Sequence, residues 1–417
     1  MLIELIQVAL GHREQLSRAL SDKEWEEVFN AAMLQSVAGV CFSGIQRLPE
    51  GQRPPETLYW DWLGLVSQIQ QQNELMDKRT AKVWRMLKEA GLDAAVLKGQ
   101  GMGVMYDVRC RMDDVRSEKD DVRCKKDDVR CEKDDVRCKK ENNLGPLRQS
   151  GDIDVWVLGG YQKVSDYVQR TAPTKEVAYH RFHLNVFKDT EVELHFRPTL
   201  MRNLLDDRKL ARWYNSFKAE DFVYLEDKGF AVPPPSFNRI FILTHIYRHF
   251  LFEGIGLRQV MDYYFVLKNA NDNLNDNLNL NANDNENKTT TNFTNEANHQ
   301  TRELLRQLRL LRFAKAMMWI LHTQFGLEQE KLLCEPDEKE GRFVLNEILQ
   351  TGNFGQGETR YHYKRLRTFR RMTVHGCHLL LHYPSEVLWT PIWLIYHKFW
   401  KWNMKRKIKS LTQHETL

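Results

Sequence analysis

The sequence predicts an α+β fold, in which a small mixed β-sheet lies between helical amino-terminal and carboxy-terminal regions. Two observations predict it. Short apolar runs bounded by turn residues are confined to the middle of the chain, whereas helical periodicity dominates before residue 92 and after the prolines at 233–235. Strands and helices that are segregated along a chain in this way are typical of α+β proteins. We therefore divide the 417 residues into a helical region at 1–92, a sheet-bearing core at 93–232 and a helical domain at 233–417.

The amino-terminal region carries clear signals for helices. Ser21 and Glu24 have the spacing of a capping box, in which the two residues satisfy each other's backbone N–H groups. Apolar residues at helical spacing follow at Trp25, Val28, Phe29 and Ala32. A second, longer helix is expected from about 66 to 90, where Gly91 ends it.

Three apolar segments of the core are predicted to form one mixed sheet. Residues 94–97 are a short strand that leads into a glycine turn, and residues 152–157 form a second strand that follows another glycine. Residues 183–196 are long enough for two strands, and Lys188-Asp189-Thr190 offers the turn of a hairpin between them.

Two low-complexity tracts are predicted to be insertions. The first, at 107–144, repeats Asp-Asp-Val-Arg every seven residues. A coiled-coil seam needs two apolar positions in each heptad, and this repeat offers little more than one Val and one Cys, so we favour a solvated protrusion over an interaction module. The second, at 269–298, is Asn-rich and has too few apolar residues to offset the entropy of ordering it. Loop closure costs only about 0.6 kcal/mol per doubling of length, so the core can still form.

The segment from Gly151 to Val155 holds the strongest indication of chemistry. Alternate side chains of a strand point to the same face, so Asp152 and Asp154 are expected together, with Ile153 and Val155 facing the core. Two carboxylates held that close repel each other, and a divalent cation is the usual compensation. The D-x-D pattern also occurs in turns, calcium loops and solvated strand edges, so the pair alone does not identify a site.

A glycine turn lies upstream of this acidic pair. Lys98, Gly99 and Gly101 follow the strand at 94–97, and such a turn lets backbone N–H groups approach a phosphate. It is not a dinucleotide fingerprint, because Val104 stands where the last glycine would be, and it lacks the lysine of a P-loop.

A later segment offers a third carboxylate. The alternation of polar and apolar residues at 191–197 predicts that Glu193, His195 and Arg197 share one strand face. Hard cations such as Mg²⁺ prefer carboxylate oxygens and substrate phosphates, so the three acids together indicate phosphoryl or nucleotidyl transfer.

Taken in chain order, these segments resemble the polymerase-β-like nucleotidyltransferase superfamily, and most closely an uncharacterised bacterial nucleotidyltransferase family. That family carries LKG, then Y, then P.LR..GDID, followed by V(D/E)LH and a helical LR..MD segment. The resemblance also covers the amino-terminal helices, including Leu20 to Trp25, and most of the chain outside the two tracts. The matching residues are Leu97-Lys98-Gly99, Tyr106, Pro146 to Asp154, Val192-Glu193-Leu194-His195 and Leu257 to Asp262.

The resemblance implies a metal-dependent nucleotidyltransferase that moves a nucleoside monophosphate from an NTP, such as ATP, to a hydroxyl acceptor of the small-molecule or sugar type. Arg148 would either contact phosphate or anchor the loop before Gly151. The implied catalytic residues, which would also hold Mg²⁺ or Mn²⁺, are Asp152, Asp154 and Glu193. The implied NTP-binding residues are Lys98, Gly99, Gly101, Arg148 and Gly151.

Two alternatives stay open beside this interpretation. One is a scaffold that keeps the fold with weak or no catalysis, in one version associated with a membrane through its basic tail, and the other is an enzyme that modifies a protein or a nucleic acid. A net charge of +5 is modest for 417 residues and does not indicate a nucleic-acid partner. No basic start precedes a long apolar run at residue 1, so a cytoplasmic location is expected. The acceptor, the base of the NTP and the oligomeric state are open.

Several histidines and cysteines have plain interpretations. His195 is as often structural as functional on such a strand. His245 and His249, one helical turn apart, are expected to pack or to bind carbonyl groups, since they lack the sequence of a zincin helix. The cysteines outside the repeat are expected to be buried thiols rather than metal ligands; they are Cys41, Cys334 and Cys377.

The carboxy terminus combines aromatic and basic residues. Aromatic side chains are frequent from Trp389 to Trp402, and a basic run follows at 405–409. We favour a helix packed on the core with a solvated basic tail. The alternative is peripheral contact with an anionic membrane through residues 389–409, which are too few and too interrupted to span a bilayer.

Overall fold

The computed structural model describes residues 1–106, 143–174, 178–269, 298–358 and 376–414. These residues form an α+β protein with a four-stranded mixed sheet, a separate two-stranded sheet and helices before and after them in the chain. The predicted α+β class is therefore confirmed. The expectations for the two low-complexity tracts fall almost entirely outside the described residues.

Helices make up the amino-terminal region, as predicted. The N–H of Ser21 donates to the Glu24 carboxylate at 2.9 Å, which is the Glu24 half of the expected capping box. The last helix of the region begins well before the expected residue 66, directly after Pro55, because the buried Trp62 anchors its first turns by donating to the carbonyl of Ala38 at 2.9 Å. The four helices are α1 (Leu2–Leu10), α2 (Asp22–Leu34), α3 (Ala38–Arg47) and α4 (Glu56–Glu89).

The main sheet has the strand order β1-β2-β4-β3. Strand β2 pairs with β1 in the antiparallel sense and with β4 in the parallel sense. Strands β3 and β4 form an antiparallel hairpin, as predicted, but β3 begins before the expected residue 183. Parallel and antiparallel pairs in one sheet make it mixed, as expected. The strands are β1 (Ala94–Val96), β2 (Ile153–Val157), β3 (Arg181–His183) and β4 (Val192–His195).

Shorter elements complete the core. The hairpin β5–β6 has no counterpart among the predicted strands, because three-residue strands are too short to show a two-residue alternation. It packs beside β1 and α4, where Trp84 contacts Tyr224 with ring centroids 5.2 Å apart. The elements are α5 (Gln100–Gly103), α6 (Gly160–Thr171), α7 (Leu204–Tyr214), β5 (Val223–Leu225) and β6 (Phe230–Val232).

The described part of the chain beyond the prolines at 233–235 is dominated by helices, as predicted. Their buried aromatic and aliphatic side chains join those of the amino-terminal helices in one large core, while a second core lies under the sheet. Cys41 and Cys334 are buried, as expected, and the side chain of Cys377 is outside the description. The helices are α8 (Pro235–Phe252), α9 (Leu257–Lys268), α10 (298–307), α11 (Leu311–Trp319), α12 (Glu338–Thr351), α13 (Gly376–Leu380) and α14 (Pro384–His414).

Among the described helices, none combines the length and the apolar character that a bilayer crossing requires.

Candidate active site

The parallel pairing of β2 with β4 places two buried carboxylates side by side. Its register sets Asp154 opposite Glu193 and Trp156 opposite His195. Only 1% of Asp154 and 2% of Glu193 is exposed. Ionised groups buried to this degree are stable only where cations or hydrogen-bond donors compensate them, so the neighbours of this pair decide its state.

His195 contacts both acids. Its Nε2 lies 2.9 Å from Asp154 Oδ1 and 3.3 Å from Glu193 Oε2. Burial lowers the pKa of His195, but the hydrogen bonds to the two carboxylates outweigh it and hold the pKa above its ordinary value. One potential ligand atom from each of these three residues lies within 4.8 Å of the other two. The cluster therefore has the dimensions of a metal site.

Two cationic side chains also pair with the buried acids. Lys98 Nζ lies 3.1 Å from Asp154 Oδ2, and Arg181 Nη1 lies 2.9 Å from Glu193 Oε2. Burial by itself raises the pKa of Asp154, but the Lys98 charge and the His195 hydrogen bond lower it well below its usual range. Asp154 is therefore ionised at neutral pH.

Asp152 stands at the edge of this cluster. It directly precedes β2 and is half-buried. Burial and then the charge of Asp154 raise its pKa, against the opposing effect of Lys98. An added cation would oppose both effects and favour the ionised form of Asp152.

The glycine bend lies directly against the acidic strand. The N–H of Leu97 donates to the carbonyl of Asp154 at 2.9 Å, and a Cβ on Gly99 would lie 3.1 Å from the carbonyl oxygen of Asp152. Gly99 has φ +62°, a conformation that favours glycine. A Cβ on Gly101 would approach the Val96 carbonyl oxygen to 2.8 Å, closer than real Cβ contacts. Both glycines are thus required by the bend.

Arg148 anchors the loop that leads to the acids. Its guanidinium binds both oxygens of Asp262 on α9, and Tyr106 donates to the same carboxylate at 2.8 Å. Arg258 of α9 donates to the Gln149 carbonyl at 2.9 Å. These contacts favour the anchoring role of Arg148 over a phosphate contact. The exposed Gly151 lies at the end of this anchored loop.

A cavity of about 930 Å³ opens on another side of the glycine bend. Its wall includes Gly99, Gln100 and Arg148, together with Asp77 of α4 and Lys228 of the β5–β6 turn. Ligand pockets for small molecules have volumes of about 300–1,000 Å³. The acids Asp152, Asp154 and Glu193 are not among the described residues in its wall. The bend thus separates the acidic cluster from the cavity and borders both.

Sequence reasoning missed part of this cluster. Arg181 faces His195 across the β3–β4 pairing, and the ring of His180 lies 5.3 Å from that of His195. Neither has a spacing in the sequence that marks it, because the contact depends on hairpin register. The prediction for Arg197 is wrong, since β4 ends at His195 and the Arg197 guanidinium donates to the carbonyl of Asp207 at 2.8 Å.

The two histidines of α8 pack as expected. The rings of His245 and His249 are 4.3 Å apart, and His249 Nδ1 lies 2.5 Å from a Glu253 carboxylate oxygen. The groups of described residues that have metal-site dimensions do not include either histidine.

Comparison with known proteins identifies a protein family. A family model described as an uncharacterised nucleotidyltransferase matches residues 21–110 and 145–286, more than half of the chain. No curated protein and no solved structure shows significant similarity to the chain. The matched residues include the glycine bend, the acidic strand, Glu193 and α9.

Proposed function

The chain belongs to this uncharacterised nucleotidyltransferase family, and we propose that it transfers a nucleoside monophosphate from an NTP to a hydroxyl acceptor of the small-molecule or sugar type in a metal-dependent reaction. The observation that carries the proposal is the pairing of Asp154 with Glu193 beside Lys98 and the glycine bend. Nucleotidyl transfer needs carboxylates, a cation for the phosphates and a close backbone approach, and this one corner of the sheet supplies each of them.

The donor set fits a hard divalent cation. Carboxylate oxygens are the ligands that Mg²⁺ and Mn²⁺ prefer, and Asp152, Asp154 and Glu193 are the residues that would hold the ion. When bound, such a cation polarises phosphoryl oxygens and lowers the pKa of an acceptor hydroxyl. His195 and Lys98, which now neutralise Asp154, would then share that carboxylate with the ion or turn to the substrate.

The protein's own groups supply the remaining steps of the proposed reaction. The acceptor oxygen attacks the α-phosphorus, the bond to the β-phosphate oxygen breaks, and pyrophosphate leaves. Glu193 would receive the acceptor's proton. Lys98 would offset the charge that develops on the phosphates, and backbone N–H groups at Gly99 and Gly101 would orient them. We place the nucleoside in the cavity beside the bend, with Arg148 holding the loop in position.

The test is a transfer assay with a matched control. Purified protein is incubated with each labelled NTP, Mg²⁺ or Mn²⁺ and a metabolite extract. We expect a labelled small product that depends on the cation, is lost in Asp154→Asn and is retained in Asp166→Asn, which alters an exposed aspartate on α6. Label in protein or nucleic acid would support the macromolecular alternative, and absence of any label with all four NTPs would contradict transfer.

One observation favours the scaffold alternative. Lys98, His195 and Arg181 already neutralise the two buried acids, and such a network also stabilises a fold that binds no metal. Thermal unfolding distinguishes the two functions. A cation that binds only the folded state stabilises it by about 2.7 kcal/mol at a hundred times its Kd, so an enzyme should show a rise in Tm with Mn²⁺ that Asp154→Asn removes. A scaffold should show no such rise.

A further inference from the structure

The carboxy-terminal helix α14 is fixed to the core by one of its faces. Trp393, His397 and Trp400 surround Tyr179, with ring centroids 6.3, 6.0 and 5.0 Å from its ring. At the start of the helix, the buried carboxylate of Glu386 accepts the N–H groups of Arg202 and Asn203 at 2.7 and 3.1 Å. These contacts confirm part of the favoured prediction, since one side of the helix does pack on the core.

The opposite face of α14 is apolar and exposed. Its large side chains recur at alternating spacings of four and three residues, which places them in one stripe along the helix. At least half of the surface of each of these residues is open to solvent, although soluble proteins rarely expose a continuous apolar stripe. The stripe consists of Leu388 (61% exposed), Ile392 (50%), Ile395 (72%), Phe399 (65%) and Trp402 (52%).

The charges of α14 indicate which kind of surface the stripe contacts. The helix has one acidic residue, Glu386, and it is buried against the core. Every other charged residue of the helix is basic, and among these Lys398, Lys401 and Arg406 are exposed. Pairing two copies of the helix through their stripes would bring like charges together, which is unfavourable. An anionic phospholipid surface offers an apolar layer to the stripe and negative charge to the basic side chains.

We propose that α14 lies on an anionic phospholipid surface and holds the protein there. The stripe enters the boundary between headgroups and acyl chains, Phe399 and Trp402 occupy the interfacial layer that aromatic residues prefer, and the basic side chains meet the lipid phosphates. This attachment is independent of the proposed transferase activity, because it uses none of the residues of the acidic cluster.

Vesicle flotation of the full chain tests the proposal. We expect binding to phosphatidylcholine vesicles that contain phosphatidylserine, little binding to pure phosphatidylcholine, and release at high salt. The double variant Ile395→Asn, Phe399→Asn should abolish flotation. The triple variant Lys398→Gln, Lys401→Gln, Arg406→Gln should weaken partitioning about a hundredfold. Trp60→Gln, which alters a comparably exposed aromatic on α4 (57% exposed), should bind as the wild type does.

Three outcomes would overturn the proposal. They are a failure of the wild type to float with either vesicle, equal binding to both vesicle types, and a wild-type dimer in lipid-free solution that the double variant converts to monomers. The last result would assign the stripe to a second copy of the chain. Circular dichroism shows whether the variants are folded, and because the altered side chains are exposed, we expect unchanged thermal unfolding.

Discussion

Arg148 donates to both carboxylate oxygens of Asp262, from Nε at 2.7 Å and from Nη2 at 2.8 Å. The pair joins the loop before the acidic strand to α9, and 5% of one side chain and 7% of the other are exposed. A bidentate pair of this kind fixes distance and orientation together. The position of Asp152 and Asp154 therefore depends on a helix that follows them by about a hundred residues.

Replacing Arg148 by Met should destabilise the protein strongly. The change leaves the Asp262 carboxylate buried without its cation, which costs about 3–5 kcal/mol. Urea unfolding measures the loss. The matched control is Arg342→Met, which breaks an exposed pair with Glu338 and should cost less than about 1 kcal/mol. Adding Asp262→Asn to Arg148→Met should recover part of the stability. Equal losses of stability in Arg148→Met and Arg342→Met would contradict the anchoring role.

Gly101 of the bend and Gly103 at the end of α5 should respond differently to alanine. Gly101→Ala places a Cβ 2.8 Å from the Val96 carbonyl oxygen and should cost about 1–3 kcal/mol. Gly103→Ala meets nothing within 4 Å and should be neutral or slightly stabilising, since alanine favours helix. Comparison of the two unfolding free energies tests whether the bend needs a close backbone approach; similar costs would argue against it.

Lys98→Met should lower nucleotidyl transfer about a hundredfold to a thousandfold, the usual loss when one preorganised donor to developing charge is removed. Lys88→Met is the control, because Lys88 pairs with Asp93 near the same strand but remote from the acids. The measurement is kcat for the labelled product. If Lys98 only neutralises Asp154, its removal should reduce stability while leaving kcat near the wild-type value.

Glu386 should make stability depend on pH. Burial, opposed by the backbone N–H groups of Arg202 and Asn203, raises the pKa of Glu386 from 4.5 to about 7 in the folded protein. The folded state then binds the proton more tightly than the unfolded state. The resulting stabilisation is complete below pH 4.5 and is lost as the pH rises through about 7. The difference amounts to about 3 kcal/mol.

The variant Glu386→Gln isolates this effect. The variant has no titrating group at position 386, so the wild type should lose stability relative to the variant between pH 4.5 and about 7. Chemical unfolding at several pH values measures the difference. Parallel pH profiles of the two proteins would show that Glu386 has the same pKa in both states.

The elements that sequence reasoning located are those with a local pattern. Alternation predicted the strands that carry Asp154 and Glu193, and the turn at Lys188-Asp189-Thr190 predicted the β3–β4 hairpin. Helix α4 starts earlier than its apolar spacing indicated, because tertiary contacts of Trp62 extend it. Local patterns therefore located the acids, but packing set the helix boundary.

The remaining parts of the cluster depend on contacts between distant segments. Arg181 reaches Glu193 only through the hairpin register, and Arg148 meets Asp262 only when α9 packs on the loop. The spacing of these residues in the sequence predicts neither the Arg181–Glu193 contact nor the Arg148–Asp262 contact. The side of α14 that faces solvent was equally hidden, because aromatic residues occupy both of its faces.

The pairing of Asp154 with Glu193 makes the site sensitive to the length of the chain between β2 and β4. Successive side chains of a strand point in opposite directions, so shifting β4 by one residue would bring Val192 or Leu194 opposite Asp154 and turn the glutamate to the other face. Single-residue insertions or deletions that slide β4 should therefore be far more harmful than changes that shorten or lengthen a loop without moving it. In this family member, insertions and deletions are therefore expected to be tolerated in loops where they leave the pairing of β2 with β4 unchanged.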